Sequence, residues 1–171
     1  MNAFEYFEDI YGDYVNTDEY AKFKKHIGII LLASDKGVAV CGSTALNIVT
    51  RKVSKVPSDV DFVTDSNEKA LTFLSEILLK IEKYRWYGQI KVQNHTNFCF
   101  KGTTTHYKLN TQFGFNVCVM VLNKPLKSFY TKFGVCVQFI DDLKEYTELA
   151  SSIDGKTREL ITLTEDTTQI I

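Results

Sequence analysis

Proline is nearly absent: Pro57 and Pro125 are the only two among 171 residues. No low-complexity tract accompanies them, so the chain contains no stretch suited to a long linker or a disordered segment. Long apolar runs are missing too; none approaches the roughly 18 residues of a membrane helix, which excludes a membrane partner on that pattern. The four cysteines, Cys41, Cys99, Cys118 and Cys136, form no C-x-x-C pair. Each lies in an apolar, strand-like stretch, the pattern of buried thiols in a reducing compartment and not of zinc ligands or disulfides. Charge of one sign is also lacking, with 20 basic against 21 acidic residues and a net charge of -1. Any contact with nucleic acid must therefore come from a local basic patch. The opening residues, MNAFEYFEDIYGDY, are acidic and aromatic, the wrong chemistry for a signal or transit peptide. A cytoplasmic location is the resulting expectation. Oligomeric state leaves no signal.

What is present points to one domain over residues 1–171, large enough for its own core. Its organising stretch is Gly37 to Thr64, GVAVCGSTALNIVTRKVSKVPSDVDFVT. Val38 to Cys41 reads as a short buried strand. Gly42-Ser43 follows, then Thr44 to Val49, which suits one or two turns of helix. Gly42 lets the backbone turn sharply, and Ser43 is the expected N-cap. A basic loop with Arg51, Lys52 and Lys55 leads through Pro57-Ser58 to a second strand, Asp59 to Val63. Strand alternation puts Asp59 and Asp61 on one face and Val60 and Phe62 on the other. Two adjacent carboxylates repel unless a cation lies between them, the arrangement a Mg²⁺ site uses. A Gly-Ser turn at a helix N-terminus offers backbone N–H groups and a positive dipole end to phosphate.

Either half alone is a weak signal. In the order strand, Gly-Ser, helix, loop, Ser-Asp-Val-Asp-Phe, they resemble the signature of the nucleotidyltransferase superfamily, whose fold is shared with DNA polymerase β. The resemblance implies an α+β fold with a mixed sheet flanked by helices. It implies that the aspartates matching Asp59 and Asp61 hold Mg²⁺ and that the turn matching Gly42 and Ser43 grips nucleotide phosphates. The implied reaction moves a nucleotidyl group from a nucleoside triphosphate to a hydroxyl of RNA, protein or a small molecule. Active members usually carry a third carboxylate on a later central strand. The matching strand here, Phe115 to Leu122, has none, and Asn116 stands near the expected place; an amide brings a ligand oxygen but no charge and no base. A catalytically inactive relative that binds a nucleotide or a protein is thus the alternative.

Other readings stay open. Ser58-Asp59 also suits a turn cap and Asp61 a solvent-facing strand position. Arg51, Lys52 and Lys55 suit a triphosphate or an RNA end, and equally a solvated loop. Lys156 and Arg158 suit an ordinary helix face. His26, His95 and His106 have no ligand spacing and read as lone polar histidines. Tyr84, Arg85, Trp86 and Tyr87 could stack on a base, but such a cluster more often closes a helix end over a core.

Around the central stretch, Phe4, Phe7, Ile10 and Tyr11 recur at helical spacing, and Thr17 opens a second helix toward Leu32. Asp65 to Glu68 starts another, running to about Tyr84. Gln89–Gln93, Asn97–Lys101, Thr105–Leu109, Phe115–Leu122 and Val135–Ile140 read as strands, with Phe115–Leu122 central. Lys124 to Phe133 reads as a short helix or loop, and Asp141-Asp142 caps a last helix.

Overall fold

The computed structural model describes residues 2–80, 89–93, 103–110 and 116–139. Helix α1 (Ala3–Tyr11) is capped by Asn2, whose side chain accepts the Glu5 backbone N–H at 2.9 Å. It buries Tyr6, Phe7, Ile10 and Tyr11. A 3-10 turn (Gly12–Tyr14) follows, and the Thr17 hydroxyl accepts the Tyr20 N–H at 3.2 Å to open α2 (Asp18–Lys24). The single helix expected from here toward Leu32 is in fact two, because α3 (Ile27–Asp35) starts afresh. At the break the Lys25 and His26 N–H groups bond the carbonyls of Lys22 and Phe23, three residues back, the tight pattern that closes a helix. His26 turns inward there, only 6% exposed and stacked on Phe23. It is a buried residue, as is His106.

The remaining elements are β1 (Ala39–Cys41), α4 (Gly42–Thr50), β2 (Val60–Thr64), α5 (Asn67–Lys80), β3 (Gln89–Gln93), β4 (Thr103–Asn110), β5 (Asn116–Leu122), β6 (Ser128–Tyr130) and β7 (Cys136–Gln138). Among the described residues the strands form one mixed sheet, ordered β3-β4-β5-β2-β1-β7-β6. β2 runs antiparallel to β1 and parallel to β5, and β1 runs parallel to β7. β5 is interior, as its unbroken apolar run requires. Ser66 starts α5 by accepting the Lys69 N–H at 3.2 Å.

β6 corrects the expected helix or loop over Lys124–Phe133. Leu126, Phe129, Tyr130 and Phe133 fall at helical spacing, yet Ser128, Phe129 and Tyr130 pair with Gln138, Val137 and Cys136. A three-residue edge strand, exposed at both ends, is too short to show a period of two. The expected strand Asn97–Lys101, the Tyr84–Tyr87 cluster, His95, Cys99, Lys156, Arg158 and the helix after Asp141 lie outside the described residues.

Alternation splits the sheet into two faces. Val40, Val60, Phe62, Tyr107, Leu109, Val117, Val119, Val121 and Val137 join Ile30, Ala33, Phe73, Leu74 and Ile77 of the helices in the main core. The opposite face holds a smaller cluster of Ala39, Cys41, Val63, Met120, Leu122 and Cys136. Asp61 is on this second face.

Candidate functional site

β1 ends at Cys41, which is paired directly with Asp61 of β2. The next residue, Gly42, has φ +63°, a left-handed conformation that side chains resist and glycine adopts freely. The chain therefore leaves the strand and enters α4 at once, within about one strand spacing (about 4.8 Å) of the Asp61 backbone. The helix starts at Gly42, with Cys41 at the cap position and no side-chain cap bond. The expectation of Ser43 as N-cap is corrected: Ser43 is an exposed residue of the first turn. With no capping side chain, the first N–H groups of α4 are not all satisfied within the helix.

On the other side of Asp61, β5 contributes Cys118 at the paired position. Sequence reasoning grouped Cys118 with the buried thiols; it is half-buried and beside the carboxylate. Asn116 lies one register step beyond Val117, which pairs with Val60. Position 116 is thus level with Asp59 and of the same parity as Cys118. Extending the row, Lys108 of β4 pairs with Cys118, and Lys91 of β3 pairs with Lys108. One row on one face reads Cys41, Asp61, Cys118, Lys108. No sequence period could have revealed it, because both faces of β5 are apolar.

The electrostatics follow from this crowding. Burial, then the neighbouring Asp59 charge, push the Asp61 carboxyl up to about 6. Burial and the Asp61 charge push the Cys118 thiol up to about 12, opposed by Lys108. The ion pairs among the described residues, Lys36–Glu76, Arg51–Asp9 and Lys80–Glu76, include neither Asp59 nor Asp61.

The basic loop is held elsewhere. Arg51 pairs with Asp9 at 3.5 Å and lies 4.9 Å above the Tyr6 ring. The Tyr14 hydroxyl donates to the carbonyls of Val53 and Ser54. This fixes the loop against α1 and the 3-10 turn, at the far end of α4 from Gly42, roughly 12 Å away by helix rise. Lys52 and Lys55 are exposed on that loop.

Among the described residues no group of three or more His, Cys, Asp or Glu is placed to hold a metal ion. Two hard carboxylate oxygen donors, one of them half-buried against a like charge, remain. That set fits a magnesium ion whose other ligands are water and phosphate.

No family model and no curated protein matches the chain. Among solved structures it is similar to the crystal structure of the Megavirus polyadenylate synthase, at 12% identity and a TM-score of 0.55, over 86% of this chain. The chain spans about 30% of the length of that protein. No helix among the described residues is long and apolar enough to cross a membrane. With the strand order and the turn geometry above, the likeness shows an α+β, nucleotidyltransferase-like fold.

Proposed function

We propose that the chain binds a nucleoside triphosphate with Mg²⁺ at the Gly42 turn and transfers its nucleotidyl group to an acceptor hydroxyl. One observation carries this. Gly42 and the aspartates, some 20 residues apart in sequence, are brought to one end of the sheet by the Cys41–Asp61 pair. The backbone N–H groups of the first turn of α4 would take the triphosphate, with Ser43 adding a hydroxyl. Asp59 and Asp61 would hold the magnesium ion, which when bound neutralises the triphosphate and acidifies the acceptor hydroxyl. The acceptor oxygen bonds the α-phosphorus, the bond to pyrophosphate breaks, and the hydroxyl proton leaves to solvent. Arg51 anchors the basic loop at the far end of α4, away from the triphosphate, against Asp9 and Tyr6. RNA is the first acceptor to try, since the similar solved structure is a polyadenylate synthase. Incubation with labelled nucleoside triphosphates and bulk RNA should yield Mg²⁺-dependent label in RNA that Asp59→Asn abolishes; label that survives this change contradicts the reading.

A second reading, a protein that binds the nucleotide without transferring it, is favoured by the position beside Asp61. β5 places Cys118 there, and the level with Asp59 is taken by Asn116. Neither supplies a charge for a second metal ion or a general base. Cys118→Asp and Asn116→Asp separate the two readings. If the natural protein is merely binding, either added carboxylate should raise transfer from background; an enzyme that draws a carboxylate from another segment should gain nothing.

A further inference from the structure

We propose that Lys108 is a catalytic residue of the transfer. Its ammonium, on the side of Asp61 opposite the Gly42 turn, holds the attacking oxygen and an oxygen of the α-phosphate, where a second metal ion would otherwise stand. The inference rests on the proposed nucleotide site and deepens it.

The first support is position. Lys108 is paired with Cys118, and Cys118 with Asp61, so the three share one row on one face of the sheet. Lys108 is half-buried, and among the described residues it forms no ion pair with a carboxylate. Cys118 lies within electrostatic reach of both charges, the Asp61 carboxylate and the Lys108 ammonium. Two strand spacings, about 10 Å, separate the Asp61 and Lys108 backbones. The flexible four-carbon stem of a lysine crosses much of that distance. Only the short Cys118 side chain stands between them in the row.

The second support is charge. Two carboxylates balance a single Mg²⁺. Among the described residues no group of three or more His, Cys, Asp or Glu is placed to hold a metal ion. In two-metal transfer one ion serves the leaving oxygen and the other the attacking oxygen. A single ion carried with the triphosphate leaves the attacking side without a cation, and Lys108 is the cation that this row provides.

The third support is direction. In phosphoryl transfer the attacking and leaving oxygens lie roughly in line through the phosphorus. Sheet order puts β1 and the Gly42 turn on one side of β2, and β5 and β4 on the other. With pyrophosphate leaving toward the turn, the acceptor hydroxyl enters over β5, between Asp61 and Lys108. The ammonium has donors only, so it takes no proton and stays charged throughout. It stabilises the negative charge that grows on these oxygens as the new bond to phosphorus forms. Pyrophosphate departs, and the hydroxyl proton leaves to solvent.

The test uses the full chain, labelled ATP with bulk RNA for transfer, and a non-hydrolysable ATP analogue for binding. Lys108→Ala should lower kcat about 100- to 1000-fold, the cost of removing one donor to a developing oxyanion. Its affinity for the Mg²⁺-bound analogue should stay within about threefold by calorimetry, since a group that acts only in the transition state leaves ground-state binding in place. Added methylammonium should restore part of the lost rate, and Lys108→Arg, which keeps the charge, should retain more activity than Lys108→Ala. In the natural protein, manganese counted by electron paramagnetic resonance should amount to one ion per bound analogue. An unchanged kcat in Lys108→Ala overturns the proposal, as does a loss that neither methylammonium nor arginine relieves, which marks a structural role. A loss of analogue affinity as large as the loss of rate overturns it by assigning the lysine to the leaving phosphates. Two manganese ions in the natural complex overturn it by filling the place assigned to the ammonium. A natural protein that binds no analogue contradicts the nucleotide site itself, whereas the other contrary results leave that site standing.

Discussion

The two faces of the central sheet use the same strands for different ends. On the helix side, Val60, Phe62 and Val119 are at most 1% exposed and belong to the main apolar core. On the other side, one position away along the same strands, Asp61 meets Asp59 and Cys118. Because strand side chains alternate, a shift of one residue separates what holds the fold from what holds charge. Substitutions on the first face should therefore cost stability, while those on the second should cost ligand binding and leave the apo fold as stable or more so.

The largest effect expected is on the core face. Phe62 is fully buried, with its ring 5.1 Å from that of Phe73 in an edge-on contact. Phe62→Ala should destabilise the protein by about 3–5 kcal/mol in urea unfolding.

Asp61→Asn should do the reverse. The folded carboxyl titrates at about 6 against an ordinary 3.8. Its contribution to stability is fully present below the unfolded value and is lost as pH rises through the folded one. The apo protein should thus lose up to ~3 kcal/mol from this group between about pH 4 and 6. Asp61→Asn should remove that slope, and its excess stability over the natural protein should grow as the pH rises. A parallel pH profile in the two proteins would erase the contrast between the faces.

Gly42→Val lies where the two faces meet. A branched side chain at φ +63° costs roughly 1–3 kcal/mol of strain and covers the N–H groups offered to phosphate. Nucleotide affinity should fall by much more than the stability loss explains, and equal losses would move the phosphate elsewhere. Ser43→Ala is the smallest change: Ser43 is exposed and makes no cap bond. Its stability should stay within about 0.5 kcal/mol, with a few-fold weaker nucleotide binding as the signature of its hydroxyl.

The central strand–turn–helix–strand was legible because each piece carries local punctuation. A short apolar run, one glycine and a helical stretch follow each other without a gap, and after a basic loop comes an alternating Asp-Val-Asp-Phe. β5 was readable as an interior strand from its unbroken apolar run. Its register was not, since Asn-Val-Cys-Val-Met-Val-Leu offers the same apolar character to both faces, and so Cys118 beside Asp61 went unseen. The row from Cys41 through Asp61 and Cys118 to Lys108 is a product of three separate pairings that no window of sequence contains. The break at Lys25-His26 was hidden because the apolar residues of α2 and α3 continue one helical period across it. β6 imitated a helix for the same reason. The basic loop was correctly placed in sequence, but Tyr14 and Asp9, some 40 residues earlier, decide where it lies.

The central claim is that Asp59, Asp61 and the Gly42 turn form one nucleotide site that needs a divalent ion. Calorimetric titration of a non-hydrolysable ATP analogue into the natural protein tests it most directly, run with Mg²⁺, with EDTA, and with Asp61→Asn. Binding should occur with Mg²⁺ and fall at least tenfold both in EDTA and in the variant. Equal affinity in all three titrations would contradict the assignment.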